Sequence, residues 1–239
     1  MVRGLSRSLL ALFIVAPLPA LAHLAAAPAD DTAGAPILQR FLALDDPSPT
    51  QCRALRHLEA RNDKFDMRAW MDVWTEIDPS GFHYWIVAEE GSDYIRSRIF
   101  REALEAERKL WATNAATTAS LTPANYTFED RGAWADGLNR LLVKPRRKDI
   151  LLIDGAIFLR PADGELLRME GELAKAPSFW TRHVRIVRHF QRFAGIRMPV
   201  VLEASANILF FGPSFYHATY EYETVNSERV GTPQLRAAQ

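Results

Sequence analysis

An α+β domain built on a long antiparallel sheet is what this sequence predicts, and three observations predict it. Five strand-like runs, 150–160, 165–175, 183–193, 197–211 and 215–225, follow one another almost without interruption. Three more, 51–61, 66–77 and 82–90, lie upstream. Between the two groups a single stretch, 92–112, changes to a helical period.

Turn chemistry sits in each break of the five-strand run. Pro161-Ala162-Asp163-Gly164, Ala176-Pro177-Ser178, Ala194-Gly195 and Gly212-Pro213-Ser214 supply glycine for positive φ and proline for a fixed φ. Such short connections force antiparallel pairing, because a parallel return needs a crossover of about a dozen residues or more. Strands of about eleven residues extend roughly 35 Å, and sheets of such strands twist and curl into a barrel or half barrel.

The upstream strands are apolar on both faces. Met67, Ala69, Met71 and Val73 share one parity, with Trp70 and Trp74 on the other. Phe82, Tyr84 and Ile86 alternate in the same way with Trp85 and Val87. Strands of this kind are covered on both sides or line a cavity with one. In 92–112, Ile95, Ile99, Ala103, Ala106 and Leu110 recur every three or four residues against Arg96, Arg98, Glu102, Glu105 and Lys109. The result is an amphipathic helix of about 20 residues, roughly 30 Å long, suited to the concave face of the sheet as a core helix or as a lid over a ligand. A shorter apolar helix over 37–44 stops before Pro47 and Pro49. The stretch 113–140 carries the weakest pattern, with a short strand expected at 125–128 and a short helix at 133–142. Lys144, Arg146, Arg147 and Lys148 then form a basic knot, readable as a solvated strand entrance or as a contact for an anionic headgroup or acidic partner.

At the N-terminus, Arg3 and Arg7 precede an apolar run over 9–21 that ends in Ala20-Leu21-Ala22. This predicts a secretory signal peptide over 1–22; the run is short for a membrane span, and Pro17 and Pro19 break it. A disordered leader over 23–36, one domain over 37–226 and a disordered tail over 227–239 complete the expected organisation. Cys52 is the single cysteine, so no internal disulfide and no acylated cysteine after the cleavage site is expected.

Lys+Arg and Asp+Glu each number 29, so no whole-chain field favours a nucleic-acid partner. Neither a G-x-S-x-G elbow nor a phosphate-binding glycine loop, an H-E-x-x-H or a C-x-x-C motif is present, so neither enzyme chemistry, nor a metal, nor a cofactor is expected. His183 and His189 share a strand face but stand about 20 Å apart, too far for one ion. Asp154, Glu170, Glu203 and Glu221 leave a secreted hydrolase as a minor reading. Asn125-Tyr126-Thr127 fits a glycosylation acceptor, relevant only to eukaryotic secretion.

Several stretches resemble the LolA-like outer-membrane lipoprotein-sorting superfamily, in an uncharacterised bacterial branch. They are Lys148-Asp149-Ile150-Leu151-Leu152-Ile153-Asp154-Gly155 with Ile157-Phe158-Leu159, Arg168-Met169-Glu170-Gly171-Glu172-Leu173-Ala174-Lys175, and Pro177-Ser178-Phe179-Trp180. Pro199-Val200-Val201-Leu202-Glu203-Ala204 and Tyr220-Glu221-Tyr222-Glu223-Thr224-Val225-Asn226 extend it. The resemblance implies an incomplete antiparallel β-barrel, a half barrel with helices covering its concave face, in a periplasmic carrier of acyl chains. It implies a lipid or a lipidated protein as partner, acting without catalysis.

Alternation supplies the candidate lining of such a cavity: Met67, Met71, Phe82, Tyr84, Ile86, Met169, Ile208 and Phe210, with Ile95 and Ile99 from the helix. Phe179 and Trp180 are candidates for its mouth. The same residues equally describe a filled core, in which case the outer surface of a monomeric protein would serve an envelope protein partner.

Overall fold

A computed structural model describes residues 36–44, 46–113, 119–178 and 181–234. The expected signal peptide and most of the leader lie outside the described residues. The described chain forms one antiparallel sheet of eleven strands: β1 Cys52–Asn62, β2 Met67–Asp78, β3 Gly81–Gly91, β4 Tyr126–Ala133, β5 Asn139–Pro145, β6 Ile153–Leu159, β7 Leu166–Leu173, β8 Thr181–Phe193, β9 Ile196–Ile208, β10 Gly212–Val225 and β11 Glu228–Arg229. Its order is β3-β2-β1-β10-β9-β8-β7-β6-β5-β4, with β11 on the end of β10. The meander foreseen for five strands runs through seven, and its last strand, β10, pairs with β1 to join the N-terminal three. The sheet stays open, with β3 and β4 at its ends, so the half barrel expected from strand length is the observed fold.

The expected short helix over 133–142 is replaced by a hairpin, β4 to β5, around a 3₁₀ turn at Ala135–Gly137. Gly132, Asp136 and Gly137 all hold positive φ, a reversal too sharp for a helix, and it sends Leu141 and Val143 inward on strand alternation. The basic knot after β5 pins the preceding loop: Arg146 Nε donates to the Pro123 carbonyl at 2.7 Å, and Arg147 donates to Asn125 Oδ1 at 2.5 Å.

Helices lie against one face. α1, Pro36–Ala43, buries Phe41, whose ring meets Phe128 of β4 at 6.3 Å. Gly164, in the β6–β7 turn, approaches so closely that a Cβ there would fall 2.8 Å from the Phe41 nitrogen. Asp46, just after α1, is buried and anchors the exit through Arg197 of β9 and Arg192 of β8, and Arg192 also holds Glu165 at 2.8 Å. The long helix foreseen over 92–112 runs as α2 Asp93–Ile95, a π-helical turn Arg96–Phe100 and α3 Arg101–Ala112. Phe100 is fully buried and meets Tyr216 of β10 at 6.2 Å, while Tyr84 of β3 donates to Glu105 Oε1 at 2.7 Å. The helix therefore spans from the β3 end of the sheet towards β10.

Cys52 lies inside this core, and burial pushes its thiol up to about 12 from an ordinary 9.0. A raised pKa stabilises the fold below 9, where both states hold the proton, and that contribution fades as pH climbs from 9 towards 12. At pH 8 the folded protein is expected to resist maleimide labelling and to react in denaturant. Rapid labelling of the native chain would contradict the burial.

Candidate functional site

The predicted lining converges, with one exception. Strand register places Phe82 beside Ile77, Tyr84 beside Thr75, and Ile86 beside Val73, all on the face that carries the helix. Met71 pairs with Leu58, and Met169 pairs with Ile157 and Arg188, on that same face. Met71, Phe82, Ile95, Met169 and Ile208 are buried in one continuous core, with Met67, Tyr84, Ile86 and Ile99 half-buried against it. Phe210 does not join them: it stands 66% exposed in the β9–β10 turn at a φ of 70°, unusual for a residue with a Cβ. Phe179 and Trp180 lie outside the described residues.

The space shared by Met67, Ile95, Ile99 and Ile208, behind Tyr94 and Phe211, is about 40 Å³. Ligand pockets occupy about 300–1,000 Å³, so these side chains fill one another's space instead of lining a container. Outside it, Phe65 and Tyr94 contact Phe211 at 5.4 and 6.4 Å, and Lys64 Nζ donates to the Phe210 carbonyl at 2.9 Å, so two turns and the helix start meet in an aromatic cluster.

At the centre of the core is a charge pair that alternation alone did not reveal. Arg56 of β1 makes a bidentate contact with Glu107 of α3, at 2.7 and 3.0 Å, with both side chains more than nine-tenths buried. Burial opposes the Arg56 charge, yet the Glu107 carboxylate beside it holds the guanidinium pKa above its ordinary value. Tyr220 stacks beneath that guanidinium at 4.8 Å, and burial pushes its phenol up to about 12. Two sequence signals pointed here: Arg56 occupies the inward parity of β1, and Glu107 falls one turn beyond Ala103 in the apolar stripe.

The open volume is on the opposite face. A trough of about 880 Å³ crosses six neighbouring strands, from Glu90 in β3 through Trp70, Glu59, His217 and Glu203 to Val187 in β8. These residues form a single cross-strand row, each paired with the next. A second row runs beside it, two residues along each strand: Arg68, Arg61, Phe215, Ser205 and Arg185. Arg185 also borders a second hollow of about 480 Å³, which continues over β7 to β4 among Glu170, Glu172, Asp154, Arg140 and Lys144.

Beneath the trough, His57 is held between two carboxylates. Nδ1 lies 2.5 Å from Oδ1 of the buried Asp72, Nε2 lies 2.8 Å from Glu59 Oε1, and the ring stacks on Trp70 at 5.9 Å. An Asp–His pair suits general-base catalysis when its second nitrogen faces a nucleophile; here Glu59 occupies that nitrogen, so the pair positions Trp70 and Glu59. No group of three or more metal-binding side chains is formed among the described residues.

No family model matches the sequence, and no curated protein is a significant match. Among solved structures, the chain is similar to a DUF1329 family protein from Desulfovibrio piger at 9% identity, with a TM-score of 0.39 and coverage of 77% of this chain and 88% of that one. It is similar to an outer membrane lipoprotein-sorting protein domain from Vibrio parahaemolyticus at 13% identity and a TM-score of 0.39, over 79% and 91% of the two chains. A LolA superfamily protein from Nitrosomonas europaea is similar at 8% identity and a TM-score of 0.35, over 77% and 90%. Likenesses this loose leave the function to be argued from the chain's own residues.

Proposed function

We propose that this chain is a periplasmic binding protein for a hydrophobic or amphipathic ligand, held without catalysis in the trough on the sheet face opposite the helices. One observation carries the reading: the trough offers about 880 Å³, against about 40 Å³ beside Met67, Ile95, Ile99 and Ile208 on the helix-bearing face. Trp70, Phe215 and Val187 supply apolar surface there, and each CH₂ buried from water is worth about 0.8 kcal/mol. Export follows from the basic and apolar N-terminal pattern.

Gentle purification, lipid extraction and mass spectrometry test this. The wild type is expected to carry a lipid, and Val187→Asp, which places a charge in the trough without touching the core, is expected to lose at least tenfold of it. Equal lipid content in both proteins would move the ligand elsewhere, and no lipid with no uptake of a fluorescent fatty acid would reject the reading. The small space beside Met67, Ile95, Ile99 and Ile208 also supports a second reading, an envelope module whose trough takes a protein partner. That outcome would appear as a co-purifying polypeptide lost in the same variant.

A further inference from the structure

We infer that the trough selects a zwitterionic single-chain amphiphile, reading an ammonium group with one row of side chains and a phosphate with the other. The inference rests on the trough being the binding site.

The row through β3, β2 and β1 reads Glu90, Trp70, Glu59, an aromatic ring flanked on both neighbouring strands by a carboxylate. His57 stacks under Trp70 and accepts or donates with Glu59, so ring and carboxylate are both fixed in place. A carboxylate on each side of an indole suits a substituted ammonium, which gains ion pairing and a cation–π contact together. The parallel row is basic. Arg68 and Arg61 pair across β2 and β1, and Arg185 closes the row beyond Phe215 and Ser205.

Like charges placed opposite one another across strands destabilise a sheet, so the Arg68–Arg61 pair calls for an anion. Each arginine already has a carboxylate partner, but at the long end of ion-pair range: Asp63 lies 3.4 Å from Arg61, Asp66 lies 3.7 Å from Arg68, and Glu170 lies 4.0 Å from Arg185. The Arg61 and Arg68 pairs are half exposed or more, so water screens them and they exchange readily for the bidentate contacts that phosphate makes best. Two residues along a strand separate the rows by roughly 7 Å, within the reach of one headgroup and flexible side chains. Phe215, under the Arg61 guanidinium at 4.3 Å, and Val187 carry apolar surface onward for one chain.

The test is calorimetric titration of the full mature chain, stripped of lipid, with lysophosphatidylethanolamine below its micellar concentration. Palmitate, an alkyltrimethylammonium of equal length, glycerophosphoethanolamine and a (Lys-Glu)₄ peptide serve as comparators. Lysophosphatidylethanolamine is expected to bind at least tenfold more tightly than either singly charged amphiphile. Arg61→Glu with Arg68→Glu, and separately Glu90→Lys, are each expected to lower its affinity at least tenfold with unchanged circular dichroism and melting. Equal affinity for palmitate would overturn the headgroup inference and leave the trough as a hydrophobic site. Binding of the peptide with no affinity for the lysolipid would overturn it in favour of a protein partner. Binding of no probe at all would reject both the inference and the trough reading beneath it.

Discussion

Replacing Glu107 by alanine is expected to destabilise the protein by about 3–5 kcal/mol, because it leaves Arg56 charged and buried with no counterion. Arg188, also buried and lowered in pKa by that burial, loses the same carboxylate neighbour. For a chain of this size each kcal/mol corresponds to about 2–4 °C, so the melting temperature should fall by roughly 10 °C. The control is the double variant Arg56→Met with Glu107→Leu, which removes both charges and is expected to recover most of the loss. Urea unfolding of the three proteins separates the outcomes. A single variant as stable as the wild type would mean that water reaches Arg56 and that the helix is not locked to the sheet.

The second large effect is expected at Gly155. It faces Gly171 across β6 and β7, and a Cβ on Gly155 would fall 2.1 Å from the Glu170 carbonyl oxygen and 2.5 Å from the Gly171 Cα. Neither obstacle is a flexible side chain, so Gly155→Ala must push the two strands apart. The expected cost is about 3 kcal/mol, at the upper end for overpacking. Gly195 gives the contrast: its φ is +77° but open space surrounds it, so alanine there meets only the left-handed backbone penalty of about 1–2 kcal/mol. A Gly155→Ala protein no less stable than Gly195→Ala would show that the strands tolerate separation at this pair.

Much of the fold was legible because two periods and the turn residues agree. Alternation in Met67–Val73 and Phe82–Ile86 placed their side chains on one face, and the register confirms it pair by pair. The first strand of the hairpin over 126–145 was expected at 125–128, but its return was read as a helix because Leu141 and Leu142 sit in a short apolar cluster that strand and helix share; three positive φ values decided it. Phe210 follows the parity of Ile208 in sequence, but the β9 strand ends at Ile208 and the turn redirects the ring to solvent. The trough escaped detection for a different reason. Glu59, Arg61, Arg185 and Glu203 each look like a solvated outward residue, and only the cross-strand register of six strands, which are far apart in sequence, gathers them into rows.

The pairing of β1 with β10 reaches beyond architecture into time. Arg53 and Glu223 meet at 3.0 Å although 170 positions separate them. Until β10 has emerged, β1 keeps a bare edge and the three N-terminal strands have no neighbour to complete the sheet. Contacts so distant in sequence slow folding, because a long loop must close before they reward it. The N-terminal three strands therefore gain their neighbour only after the seven-strand meander that ends in β10 has been made. Removing β10 should then separate β1–β3 from the meander and leave bare edges on both β1 and β9, so the truncated protein is expected to aggregate when it is purified rather than give a monomer with a cooperative melt.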